Sequence, residues 1–375
     1  MEPSFLQRYL EAFHHIQGWF SYDAALLFMA YHQLLARHTP PADVLEIGVH
    51  HGLSAIAIAS MRGPLGRLVA VDLFENLQDR NVSRSGEGVL SLFRQNFDAF
   101  YPDSGFLEVL VRPSVELVPR DLGSHFTFCH IDGGHSRAET GSDLRLCHDI
   151  SAAGGLLAVD DYFNPLYPGV CEGAVEFMLQ HPGALRPLAI GYNKVLFQKT
   201  PADMDLNGEF AQAFPQVETV VVNMWDQRVF LFGKPLRQYF DLHASTPQRL
   251  VPLSGAGTRA ILRPCSPCLQ AKCGERVTLP VAVKNASAEA FPAGETVFGL
   301  SYHLLSASDR LLVHDNDRTW LTAPLAPGEE TTFDLSVQAP AEPGPYRIEI
   351  DLVWEGVMWF KDAGNPTAKV DLSVS

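Results

Sequence analysis

The sequence predicts an α/β fold: a doubly wound, Rossmann-like domain followed by an all-β, immunoglobulin-like sandwich. Three observations carry that expectation. From residue 40 to residue 200, short continuous apolar runs alternate with helix-length stretches, as in parallel strands covered on both faces and joined by crossover helices. Beyond residue 262 the apolar period becomes two, the signature of half-buried strands. Between these regions, "HASTPQRLVPLSGAGT" (His243–Thr258) is polar and rich in turn formers. The 375 residues exceed what one core usually holds. The expected division is 1–242, with 1–40 as a helical cap, a linker at 243–262, and the sandwich at 263–375.

In chain order, Phe5, Leu6, Tyr9, Leu10, Phe13, Ile16 and Phe20 recur at helical spacing, predicting an amphipathic helix over 3–20. Its apolar face is a candidate surface for self-association. "DAALLFMAYHQLLAR" (23–37) is a more buried helix that Pro40-Pro41 must end. Strands follow at Val44–Val49, Leu68–Phe74, Leu107–Val111, Phe126–Ile131 and Leu156–Val159, with crossover helices at 53–62, 87–100, 136–150 and 170–180. Leu185–Tyr192 and Val195–Gln198 read as antiparallel edge strands, and a further helix and hairpin at Val217–Gly233 closes the domain. In the sandwich, Val277, Leu279, Val281 and Val283 alternate with polar residues. So do Phe333, Leu335 and Val337, then Tyr346 to Leu352, then Val370 to Val374.

Composition excludes several partners. The formal net charge is −15 and no Lys/Arg block is present, so nucleic acid is not the expected ligand. No apolar run reaches the ~20 residues of a membrane span, and the first twenty residues lack a signal-peptide pattern, so the expected location is the cytoplasm. Cys265, Cys268 and Cys273 cluster in "CSPCLQAKC" without a fourth ligand nearby; they read as free thiols rather than a zinc site.

In an open parallel sheet, ligands bind beyond the carboxyl ends of the strands. The first strand ends in "EIGVHHGLS", whose Glu46, Gly48, Gly52 and Ser54 make a glycine turn into a helix start. The spacing is neither the dinucleotide fingerprint nor a P-loop. Asp72, in "VAVDLF", stands where an acid accepts both ribose hydroxyls, and with the glycine turn it signals a ribose-containing cofactor. Ser114 follows the third strand, at the place of an adenine edge or an N-cap. "HIDGGHS" and "GGLLAVDDY" then place Asp132, His135, Asp160 and Asp161 at neighbouring strand ends.

These four segments, "VLEIGVHHGLS", "VAVDLF", "HIDGGHS" and "GGLLAVDDY", resemble the class I S-adenosylmethionine-dependent methyltransferases. Within these, they are most similar to the metal-dependent sugar O-methyltransferases of macrolide and aminocoumarin pathways, of macrocin and mycinamicin type. The resemblance covers residues 40–200 and leaves out the sandwich. It implies that Glu46, Gly48, Gly52 and Ser54 line the methionine end of S-adenosylmethionine and that Asp72 holds the ribose; Ser114 and Asp132 are also expected to border the cofactor. It further implies Mg²⁺ on Asp132, Asp160 and Asp161, with His135 as general base. Some relatives place an aspartate base at the position of Gly134, so this chain matches the histidine-using subgroup. The acceptor implied is a sugar-containing small molecule or a polysaccharide.

The residue chemistry agrees. Clustered carboxylates repel unless neutralised, an oxygen-only set suits Mg²⁺, and imidazole titrates near neutral pH. Other residues read as supporting: His130 packed in its strand, His50 and His51 beside the cofactor turn, Asp143 as a solvated helix position, and Tyr162 as a pocket border or sheet cover. The polar loop Glu75–Gly88, with the N-terminal helices, is the candidate roof. Trp320, Trp354, Trp359 and Phe360 are either sugar platforms or sandwich core. Two rival readings remain: a non-catalytic scaffold working through a carbohydrate-binding or assembly sandwich, and a metal-independent methyltransferase with a non-sugar acceptor.

Overall fold

A computed structural model describes residues 5–74, 89–242, 250–252, 259–288, 290–294, 297–355 and 358–375. The predicted roof loop 75–88 and most of the predicted linker lie outside the described residues. The chain divides into two compact units, Met1–Leu236 with Leu242–Val251, and Arg237–Asp241 with Pro252–Ser375.

The first unit begins with α1 (Phe5–Phe13) and α2 (Tyr22–Leu35), then β1 (Asp43–Ile47), α3 (Leu53–Ala59), β2 (Leu68–Asp72), α4 (Val89–Phe100) and β3 (Leu107–Val111). It continues with α5 (Pro119–Leu122), β4 (Phe126–Ile131), α6 (Arg137–Ile150), β5 (Ser151–Asp160), α7 (Pro168–Gln180), β6 (Leu185–Gly191) and β7 (Lys194–Lys199). It closes with α8 (Leu206–Ala213), β8 (Val220–Met224) and β9 (Gln227–Phe232). The nine strands run β3-β2-β1-β4-β5-β7-β6-β9-β8. β3, β2, β1, β4 and β5 are mutually parallel, whereas β7 is antiparallel to both β5 and β6. Strand order reverses between β1 and β4, which puts the ligand crevice at their carboxyl ends.

Two-residue alternation sorts the central strands into faces. Leu45, Ile47, Cys129, Ile131, Leu157 and Val159 join one buried cluster with Leu144 and Cys147 of α6 and Val170 and Phe177 of α7. Glu46, His130 and Asp160 fall on the opposite face, where Phe20 and Phe28 pack edge-on against the His130 ring at 5.9 and 5.3 Å.

Two helical expectations change. The helix expected over 3–20 stops at Phe13, and Ser21 caps α2 by accepting from Ala24 N–H. Gly18 lies between, where an added Cβ would sit 3.3 Å from Leu53 Cβ, so this segment lies close against α3. The apolar face offered for self-association is used within the chain: Phe5, Leu6, Tyr9, Ile16 and Phe20 are all buried. The hairpin at 217–233 is present as β8 and β9, but its companion helix lies earlier, where Asp205 caps α8 by accepting from Gly208 N–H.

The second unit is all-β. Ala260–Pro264, Arg276–Asn285 and Glu330–Gln338 form an antiparallel three-stranded sheet. Cys268–Ala271, Ala368–Val374, Gly344–Trp354, Phe298–Ser306 and Leu311–Val313 lie along the path of a seven-stranded one. The alternating residues Leu279, Val281, Val283, Leu335, Val337, Ile348, Ile350, Leu352, Val370 and Leu372 are buried. Trp354 and Phe360 belong to this core, so neither is a sugar platform. Trp359 is half-buried, with the His303 ring 4.3 Å away and the Arg318 guanidinium 4.9 Å from its centroid. The three cysteines are exposed free thiols, and no metal-ligand group among the described residues contains them.

Among the described residues, no helix is long and apolar enough to cross a membrane.

Candidate active site

The turn after β1 is forced into close approach with the turn after β4. Gly48 has φ +86°, and a Cβ there would lie 1.8 Å from Asp132 O, so only glycine fits. Gly52, with φ +88°, opens α3. Ser54 is buried in the first turn of α3 and holds the Glu46 carboxyl down against the effect of burial. Glu46 is fully buried: His130 Nδ1 lies 2.8 Å from its Oε1, while its Oε2 has no hydrogen-bond partner among the described residues. Burial pushes the Glu46 carboxyl up and the His130 imidazole down, so desolvation holds this pair neutral.

Asp72 ties β2 to the same turn. Its Oδ2 accepts from Val49 N–H and His50 N–H at 2.6 and 2.8 Å, and its Oδ1 accepts from Phe74 N–H at 2.7 Å. A cavity of about 60 Å³ opens beside these residues, lined by Gly48, Ser54 and Asp132 and walled by Gln17, Trp19 and Phe20. Trp19 is 73% exposed and packs on His50 at 5.4 Å, and His50 stacks on His51 at 3.9 Å. The segment between α1 and α2 thus supplies one wall of the crevice. An orphaned, buried carboxyl oxygen next to Ser54 of the cavity wall fits a ligand carrying an ammonium group.

The second part of the site is built by the turns after β4 and β5. His135 Nε2 lies 3.1 Å from Asp161 Oδ2 and 3.9 Å from Asp132 Oδ1. The Tyr167 ring lies parallel to the His135 ring, with centroids 4.0 Å apart. Partial burial would lower the imidazole pKa, but Asp132 and Asp161 outweigh it and raise it to about 9. Asp161 is pushed up by burial yet held down to about 2 by His135, Asn164 and Asn193. A Cβ at Gly134 would come 2.3 Å from the carboxyl carbon of Glu139, whose side chain, in a capping box with Ser136 at the start of α6, would have to shift.

Asp160 sits deeper. Lys194 Nζ donates to its Oδ2 at 2.5 Å, while its Oδ1 accepts from Asp161 N–H at 2.8 Å and Asn193 Nδ2 at 3.3 Å. Burial and Asp132 push its carboxyl up, against the pull of Lys194. Strand register makes this contact: β5 and β7 pair Asp160 with Lys194, and Tyr192 and Asn193 turn β6 into β7 with φ 53° and 69°. Such left-handed pairs are the two-residue hairpin turns that match strand twist. Asn193 and Asn164 also donate to Asp161 Oδ1, at 2.5 and 2.6 Å.

The expected ligand set, Asp132, Asp160 and Asp161, does not converge on one point. Two groups of three ligand atoms are close enough to hold an ion, His130–Asp132–Asp160 and Asp132–His135–Asp161, and neither contains both Asp160 and Asp161. The Lys194 ammonium stands against Asp160, and two amide donors face Asp161. As arranged, these residues do not fit a three-carboxylate Mg²⁺ cradle, because a fixed cation and N–H donors already satisfy the oxygens a metal needs.

One further expectation is corrected. Asp143 is not solvated but fully buried in α6, with an oxygen 3.1 Å from where a Cβ on Gly133 would stand. Burial raises its carboxyl to about 7, against a downward pull from Ser114. Tyr162 is buried, its ring 4.7 Å from Phe163 and 6.1 Å from Phe197, and so covers the sheet end. The residues that sequence reasoning missed are Asn164, Tyr167, Asn193 and Lys194. The available signal was a lysine at the head of the apolar run "KVLFQ", opposite "VDD" once β7 is paired antiparallel with β5.

Residues 45–162 match a family described as a methyltransferase domain. The chain carries a methyltransferase domain. The matched segment runs from β1 through the turn after β5 and contains Glu46, Asp72, Asp132, His135, Asp160 and Asp161. No curated protein matches the chain. Among solved structures, the chain is similar to the O-methyltransferase NovP, at 19% identity and TM-score 0.40, over 48% of this chain and 81% of that one. It is similar to CalS11, a calicheamicin methyltransferase, at 18% identity and TM-score 0.39, over 52% and 91%. An O-methyltransferase from Bacillus cereus in complex with SAH matches at 17% identity and TM-score 0.38, over 53% and 92%.

Proposed function

We propose that the chain is an S-adenosylmethionine-dependent O-methyltransferase that methylates a sugar hydroxyl with His135 as general base. The observation that carries this is the imidazole held between Asp132 and Asp161 at the strand ends, within the segment that matches a methyltransferase domain. The sugar rests on the resemblance of "HIDGGHS" and "VDDY" to sugar-modifying relatives. The second unit is read as an immunoglobulin-like sandwich, a module suited to holding a carbohydrate acceptor.

When bound, S-adenosylmethionine supplies a methyl group on a sulfonium, a carbon electrophile that needs no covalent enzyme intermediate. Glu46, through its unpartnered Oε2, and Ser54 bind the amino-acid end; Gly48 lets the backbone come close; Asp72 orients the ribose with the acceptor capacity its backbone bonds leave. His135 takes the hydroxyl proton, and Asp132 and Asp161 stabilise the imidazolium that forms. Tyr167 keeps the ring in plane beside the acceptor. No step is routed through Mg²⁺, since the carboxylates do not fit it.

A second reading, metal-independent transfer to a non-sugar acceptor, is favoured by the turn after β5. Phe163 and Leu166 are 59% and 77% exposed there, beside Tyr167, and offer an apolar rim. The test is transfer of labelled methyl to panels of sugars and of apolar hydroxylated compounds, with S-adenosylhomocysteine binding followed by calorimetry. We expect His135→Ala to bind S-adenosylhomocysteine as the wild type does and to lose about 10²–10⁴ of the transfer rate. Transfer at the wild-type rate would remove His135 from the reaction, and absence of cofactor binding would end the methyltransferase reading.

A further inference from the structure

We propose that the Lys194 ammonium is a built-in cation, standing at Asp160 where a divalent ion would otherwise bind, so that methyl transfer by this chain needs no divalent metal. The inference rests on the methyltransferase reading and deepens it. Three observations carry it.

Lys194 is 2% exposed and reaches Asp160 Oδ2 at 2.5 Å, so the pair is sealed from water rather than a surface contact. Its position is set by backbone register, with Lys194 opposite Asp160 in the β5–β7 pair, and the Phe20 ring lies 4.9 Å from the ammonium. The remaining oxygens of Asp160 and Asp161 accept from Asn193, Asn164 and a backbone N–H, which leaves His135 as the group facing Asp161 Oδ2. A divalent ion entering this cluster would lie within a few ångströms of a fixed positive charge in a low-dielectric setting, where like charges repel strongly. The amine satisfies the carboxylate that an ion would need. Lys194 is thus a positioning residue: it holds Asp160 and the turn after β5, and through that turn the Asp161 that faces His135.

The experiment is a Mn²⁺ titration, read by electron paramagnetic resonance, of chelator-stripped full-length protein saturated with S-adenosylhomocysteine. Calorimetric binding of S-adenosylhomocysteine is measured first; its absence overturns the methyltransferase reading and this inference with it. With the cofactor product bound, we expect the wild type to leave the free Mn²⁺ signal undiminished at equimolar metal. Lys194→Gln, which frees Asp160, should tighten Mn²⁺ binding by at least about a hundredfold. One tightly held Mn²⁺ per wild-type chain overturns the proposal while leaving the methyltransferase reading intact. A folded Lys194→Gln that takes up no Mn²⁺ overturns the assignment to Lys194. The wild-type titration decides the question of the metal even if the variant does not fold.

Discussion

His130 and His135 stand five residues apart at one strand end, both beside carboxylates, and their chemistry diverges. His130 is fully buried against Glu46, Phe20 and Phe28, and burial drives its pKa well below the usual value. His135 is half-exposed between Asp132 and Asp161, and its pKa rises to about 9. The same residue type, in the strand or in the turn that follows it, becomes a neutral hydrogen-bonding strut or a strong base, according to whether desolvation or charge pairing wins. The carboxylates divide likewise. Asp160 belongs to the sealed interior with Lys194, whereas Asp161, one residue on, bends outward with φ 57° to face His135. The step from strand to turn is therefore the boundary between the sealed part of the site and the part proposed to react.

The sharpest way to break this division is to remove one charge from the sealed side. Lys194→Met leaves Asp160 buried without its cation and should cost about 3–5 kcal/mol in denaturant unfolding. The double variant with Asp160→Leu should recover most of that loss, because an apolar pair of similar volume removes the unpaired charge. If the double variant is as unstable as the single, the pair is not a coupled unit. The equivalent change on the open side, Asp161→Asn, should cost less, about 1–3 kcal/mol, because Asp161 is buried and hydrogen-bonded but its partner His135 is partly solvated.

A third histidine extends the comparison. His32 of α2 is buried, with Nε2 3.4 Å from Thr127 Oγ1, and burial lowers its pKa to about 4. Because the folded pKa lies below the unfolded one, its stabilising effect is complete above about pH 6.5 and is lost as pH falls toward 4. The loss amounts to about 3 kcal/mol at most. Thermal unfolding of the wild type should therefore fall more steeply over that window than that of His32→Gln, and parallel curves would show that His32 is not buried neutral.

Much of the fold was legible because burial writes itself into period and run length. The β1, β2, β3 and β4 runs were nearly continuous apolar segments, and Gly48 and Gly52 marked the turn that the crevice requires. What was not legible depended on pairing between distant segments. Nothing local says that Lys194 faces Asp160; that follows from an antiparallel β7 inserted between β5 and β6. Asp143 looked solvated because a lone acid on a helix usually is, and only the packing of α6 beneath Gly133 encloses it. The helix expected to run to residue 20 ends at Phe13, and residues 17–20 instead border the turn after β1.

The smallest expected effect concerns tuning on the open side. His135 is raised by both Asp132 and Asp161, so it is protonated at neutral pH, and its base form grows about tenfold per pH unit up to about 9. Methyl transfer should follow that limb, rising with pH rather than peaking near 7. Removing one of the two anions in Asp161→Asn should lower the midpoint by about one unit, which ring resonances of His135 can report by NMR before the acceptor is known. The variant then holds more unprotonated imidazole at pH 7, but as a weaker base, so the rate gained at neutral pH is partly offset by a lower plateau at high pH. A midpoint unmoved by the substitution would mean that Asp132 alone sets the base, and the open triad would reduce to a pair.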